Sequence, residues 1–94
     1  MSDLQCPATV VLVERGSTDP SWLSRFRIAG RFDADGSTDL QSTLEGIADE
    51  YRGETVVASA ARADLVELLG RLGLAVRLPA VLDIDADGWR PAPT

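Results

Sequence analysis

Three carboxylates spaced two residues apart, Asp83, Asp85 and Asp87, stand directly before Gly88. That spacing matches the first half of an EF-hand loop, where positions 1, 3 and 5 offer oxygen ligands to Ca²⁺ and a glycine at position 6 makes the sharp turn. The second half does not follow. Thr94 falls at position 12, where a bidentate glutamate belongs, and Pro91 and Pro93 prevent the usual exiting helix. Asp83, Asp85 and Asp87 are therefore candidate metal ligands in a pattern that serves a turn better, and Ca²⁺ is not expected as a partner. Asp33 with Asp35, or Asp83 with Asp85, has the makings of an acid/base pair. Asp and Gly side by side also terminate strands without any catalytic role, and these are read as turns.

The chain contains no histidine. That removes the usual general base, the Ser-His-Asp and Cys-His arrangements, phosphohistidine chemistry and the common zinc sites together. Nor does a glycine-rich phosphate loop follow an apolar run, since Glu14-Arg15-Gly16-Ser17 has one glycine and Ser59-Ala60-Ala61-Arg62 has none. Ser59 and Arg62, at a strand end and a helix start, are placed to receive an anion through backbone N–H groups. Alternatively, Ser59 is a plain N-cap. With no complete catalytic set, the expectation is a protein that binds rather than catalyses, and no cofactor is expected.

Elements able to position these residues can be read from periodicity. Ala8 to Glu14 is β-branched and apolar, a strand at least half-buried, and Gly16 to Pro20 supplies turn chemistry. Arg25 to Phe32 alternates charged or small with apolar, which predicts a second strand and a hairpin with the first. On that strand Arg25, Arg27 and Arg31 share an outer face, either as solvating residues or as a basic patch, while Phe26, Ile28 and Phe32 point inward. Asp33-Ala34-Asp35-Gly36 ends it.

Thr38 and Gln41 fit a capping box opening a helix over 38–52, with Leu40, Leu44, Ile47, Ala48 and Tyr51 in one stripe and Gly53 as C-cap. Gly46 inside it suggests close packing against a strand. Thr55 to Ala58 is a short buried strand. Leu65, Leu68, Leu69 and Leu72 mark a second amphipathic helix over 61–72, ended by Gly73. Leu74 to Leu78 alternates as a strand, expected to lie parallel to 55–59, with room for a short final strand near 81–84. The predicted class is α/β: a small mixed sheet in β-β-α-β-α-β order with two helices, one domain over 1–90 and a loose tail over 91–94.

Ninety-four residues, 45% hydrophobic and 26% charged, suit one globular domain with a single core. A formal charge of −6 argues against nucleic acid, whose binding leans on Lys and Arg neutralising phosphates. The lone Cys6 cannot form an internal disulfide and fits a reducing compartment. The first residues lack the pattern of a signal peptide, and the apolar run 10–13 is far too short to span a bilayer, so no membrane association and a cytoplasmic location are expected.

Two family resemblances attach to particular residues. Phe26 to Asp33, then Leu40 and Leu44, then Val56 and Val57, resembles the opening of a STAS domain, the fold of anti-sigma-factor antagonists, over residues 8–58. This resemblance implies a regulatory protein-binding module. The family's Asp-Ser-x-Gly segment has no proper counterpart here; Ser59 lies near the place of its phosphorylatable serine. Leu12 to Thr18 is similar to the Leu-Val-Arg-His-Gly-Glu-Thr of histidine phosphatases of the phosphoglycerate mutase type, and Ser59 with Arg62-Ala63 to their Ser-Pro-x-x-Arg-Ala. Here Arg15 stands in place of the nucleophilic histidine and Glu14 in place of a phosphate-binding arginine. This second resemblance implies a remnant binding a phosphate- or nucleotide-type anion around Arg15, Ser59 and Arg62.

The leading expectation is a non-catalytic regulatory module that presents a sheet edge or helix face to a protein partner. Trp22 and Trp89 are candidate contacts or packing residues. An anion-binding module and a self-associating subunit are the competing classes.

Overall fold

The unbroken apolar run of the first strand, β1 (Ala8–Glu14), is the reason for its place at the centre of the sheet. Val10, Val11, Leu12 and Val13 are all buried, so the strand needs neighbours on both edges and cover on both faces. A computed structural model describes residues 6–34, 39–85 and 87–92. After β1 a single 3-10 turn, Ser21–Arg25, leads to β2 (Ile28–Asp33), α1 (Leu40–Glu50), β3 (Thr55–Ala60), α2 (Arg62–Arg71), β4 (Ala80–Asp85) and β5 (Gly88–Pro91). The sheet order is β2-β3-β1-β4-β5. β1, β2 and β3 run parallel, β4 is antiparallel to β1, and β5 is antiparallel to β4. This is a small α/β domain with a five-stranded mixed sheet and two helices, as the periodicity predicts.

The expected hairpin of the first two strands does not form. β3 lies between them, pairing Val10 with Val56 on one side and Gly30 with Val56 on the other. The doubly buried β1 takes the centre, whereas β2, with Arg31 and Asp33 exposed, tolerates the edge. The first two strands run parallel and are joined by a crossover.

The second correction concerns 74–78, which is not a strand. Leu74, Val76 and Leu78 are half-buried and alternate with exposed residues, and they pack on the main core, but the segment joins no ladder. It carries the chain back so that β4 can enter beside β1, pairing Leu12 with Ala80. The place near 81–84, given only a short final strand, holds β4 itself, and Pro91, assigned to a loose tail, closes β5. Ala92 N–H donates to the Val81 carbonyl at 3.0 Å; residues 93–94 lie outside the described residues.

Local details follow from capping and glycine chemistry. Thr38, like Asp35 and Gly36, lies outside the described residues, and the cap of α1 is Asp39, whose carboxylate accepts the Ser42 N–H at 3.2 Å. Gly53 after α1 has φ +79°, the left-handed conformation expected of its C-cap position. Gly46 does not pack against a strand: among the described residues no heavy atom outside its own helix backbone lies within 4 Å of where its Cβ would stand. The close approach belongs to Gly30 instead, where a Cβ would meet the Phe32 ring at 3.1 Å. Ser59 is not an N-cap either; it lies within β3, which ends at Ala60, and Ala61 precedes α2 without a side-chain cap.

Both helices cover one face of the sheet. Their buried residues Leu44, Ala48, Leu65, Leu68 and Leu69 join Val10, Leu12, Val56, Leu82 and Ile84 in the main core. On the opposite face Val11, Val13 and Val57 are met by Leu23, with Trp22, Phe26, Ile28 and Val81 half-buried around them. A bulge between Ile28 and Gly30 puts Ile28 in this second cluster and Phe32 in the first, so the two do not share the inward face expected of them.

Candidate functional site

The anion-binding candidates do converge on one end of the sheet, where the parallel strands finish. Arg15 follows β1 in a turn held by Ser17 N–H donating to the Glu14 carbonyl at 3.0 Å, with Gly16 at φ +82°. Its backbone N–H donates to the Ala60 carbonyl at 2.9 Å, tying the turn to the end of β3. Ser59 and Arg62 sit beside it, yet they do not form a common pocket. Ser59 shares its side of β3 with Val57, on the face away from the helices, and its hydroxyl lies 3.4 Å from the Phe32 carbonyl. Arg62 opens α2 on the helix side, where its guanidinium stands 3.7 Å from the Glu14 carboxylate. An incoming anion must compete with Glu14 for Arg62. Both side chains are about half-exposed, so this pair adds about 0–1 kcal/mol to stability; its effect lies in the local charge.

The aspartates of the calcium-like pattern are not in a loop. Asp83 and Asp85 lie in β4, and Asp87 occupies the turn into β5. Asp83 accepts a hydrogen bond from the Thr9 hydroxyl at 3.0 Å. Asp85 pairs with Arg90 across the hairpin at 2.7 Å and accepts the Asp87 N–H at 2.8 Å. The Arg90 guanidinium, followed by that N–H, holds the Asp85 carboxyl below the ordinary carboxylate range. The alternation of carboxylates is the period-2 alternation of a strand with one polar side. Among the described residues no group of three potential ligands could hold a metal ion.

Compared with protein-family models, with curated proteins and with solved structures, the chain matches none.

The remaining candidates divide. Trp89 is spoken for: it is half-buried against the main core and its indole N–H donates to the Glu45 carboxylate at 2.9 Å. Arg31 pairs with Asp19 at 2.9 Å on the edge strand. Arg27 is exposed just before β2, beside Gly53 and Glu54. Arg25 ends the 3-10 turn, so it shares no strand face with the other two. It belongs with Trp22, whose ring meets Phe26 edge-on with centroids 6.0 Å apart.

Trp22, Arg25 and Phe26 form one wall of a groove of about 880 Å³ on the helix-free face. Its other wall is Val76, Arg77 and Pro79, and Val81 and Pro91 lie between. Among the described residues no carboxylate lines it, and neither Arg25 nor Arg77 has an ion pair. Sequence reasoning found Trp22 and Arg25 but missed the second wall. The available signal was Arg77, alone on the exposed side of an alternating run, but nothing in the sequence places it more than fifty positions back, beside Trp22.

Proposed function

We propose that this chain is a non-catalytic protein-interaction module that docks its partner on the helix-free face of the sheet. One observation carries the reading. Two helices cover one face, whereas a single turn of 3-10 helix covers the other and leaves an apolar groove beside it. A tryptophan and two arginines without ion pairs at its rim are residue types that concentrate binding energy at protein interfaces. The absence of histidine supports the non-catalytic part. No helix among the described residues is long and apolar enough to cross a membrane.

Affinity capture from the native cell, followed by titration of the purified partner against wild type and Trp22→Ala, tests this reading. Loss of about tenfold or more in affinity on truncating an interface tryptophan is expected. A purified partner indifferent to Trp22→Ala places the docking face elsewhere and overturns the proposal. The gathering of Arg15, Ser59 and Arg62 at one sheet end favours a second reading, an anion-binding remnant. Glu14 beside Arg62 counts against it. Thermal stabilisation by millimolar inorganic phosphate, lost in Arg62→Ala, would reinstate it.

A further inference from the structure

We propose that the groove between Trp22 and Arg77 takes an acidic segment of a different protein, in which one aliphatic or aromatic side chain fills the apolar floor and flanking carboxylates pair with Arg25 and Arg77. This rests on the protein-docking reading above and names the partner's chemistry. The floor is Val81 and Pro91, with the Phe26 ring beside it, so it selects for an apolar side chain. The rim is basic on a chain whose formal charge is −6, a local reversal of sign that attracts carboxylates and repels lysine-rich segments.

The same charges exclude a second copy in the commonest arrangement. A two-fold contact through this groove would bring Arg25 and Arg77 toward the same arginines of the other copy, with no carboxylate among the described lining residues to separate them. Strand addition does not suit it either. Pro79 and Pro91 offer no backbone N–H at the groove, so recognition there runs through side chains.

Selection from a phage-displayed library of random dodecapeptides tests the inference. Enrichment of Asp or Glu on either side of an apolar residue is expected. A synthetic peptide of that sequence should lose about tenfold or more in affinity against Arg25→Glu/Arg77→Glu. Exchanging its carboxylates for lysine should restore binding to the reversed protein. Both arginines are exposed, so the double variant should keep the wild-type circular dichroism spectrum and melting temperature; Arg77→Ala serves if it does not. Enriched peptides without carboxylates, bound equally by the double variant yet lost on Trp22→Ala, would overturn the acidic partner and leave the docking face standing. No enrichment, or peptides indifferent to Trp22→Ala, would remove both. A dimer in sedimentation that Trp22→Ala dissolves would replace the different protein with a second copy.

Discussion

The two faces of the sheet are made by the same strands, one residue apart, and they are built to different ends. Val10 and Leu12 of β1 face the helices, and Val11 and Val13 face away. Among the described residues the helix side gathers fifteen buried residues into one cluster, against four on the other side. Hydrophobic stabilisation scales with apolar area removed from water, so the helix side carries most of the stability. The other side is packed by Leu23 with Trp22, Phe26, Ile28 and Val81 half-buried around it, and the groove lies beside them. A domain of this size has little stability to spare, and the proposed docking role would give a part-covered face its reason.

Truncating a core leucine on each side is the strongest way to break that comparison. Leu82→Ala, in the helix-side core with no exposed surface, should cost about 3–4 kcal/mol in denaturant unfolding. Leu23→Ala, in the smaller cluster where neighbours can relax, should cost about 2 kcal/mol. Equal costs would mean that the second face is a core in its own right and would weaken the docking reading.

Two glycines on the helix side sharpen the same contrast at smaller scale. Gly53→Ala forces a side chain into φ +79° and should lose about 1 kcal/mol. Gly46→Ala, in the middle of α1 with open space around it, should gain about 0.5–1 kcal/mol. If Gly46→Ala instead destabilises, the outer side of α1 is in contact with something, and the helix face becomes the candidate interface.

The smallest expected effect is in acid. Asp39 is held below the ordinary carboxylate range by the Ser42 N–H and hydroxyl, and Asp85 by Arg90 and the Asp87 N–H. Depressed folded values mean that the unfolded chain takes up protons first. Their stabilisation is therefore complete above pH 5 and is lost as pH falls through 4 and below. Asp85→Asn should lower the melting temperature at pH 7 by about a degree or two and leave it nearly unchanged below about pH 3, so the acid limb of the profile flattens. An equally steep limb in Asp85→Asn and Asp39→Asn would assign the acid response to other carboxylates.

Much of the fold was legible because it is written in local spacing. The leucines of α2 recur at i, i+3, i+4 and i+7, and the structure has a helix over Arg62–Arg71. The alternation in 74–78 was also genuine, since those residues alternate half-buried and exposed. Alternation reports only that one side of an extended chain meets apolar surface. It does not report a hydrogen-bonded neighbour, and that segment has none in the sheet. The Asp83, Asp85, Asp87 pattern misled for the same reason, because carboxylates two apart describe one side of a strand as well as a metal loop.

The amino-acid sequence by itself determined both helices and the strands β1 and β3, that no histidine chemistry is available, and that Trp22 and Arg25 are worth attention. Only the tertiary structure decided that β1 lies between β3 and β4, that Trp89 donates to Glu45, that Glu14 meets Arg62, and that Arg77 faces Trp22 across a groove. The reason is physical. Periodicity is set by bonds between near neighbours, whereas strand order and pocket walls are set by which apolar faces bury one another, a property of the whole chain.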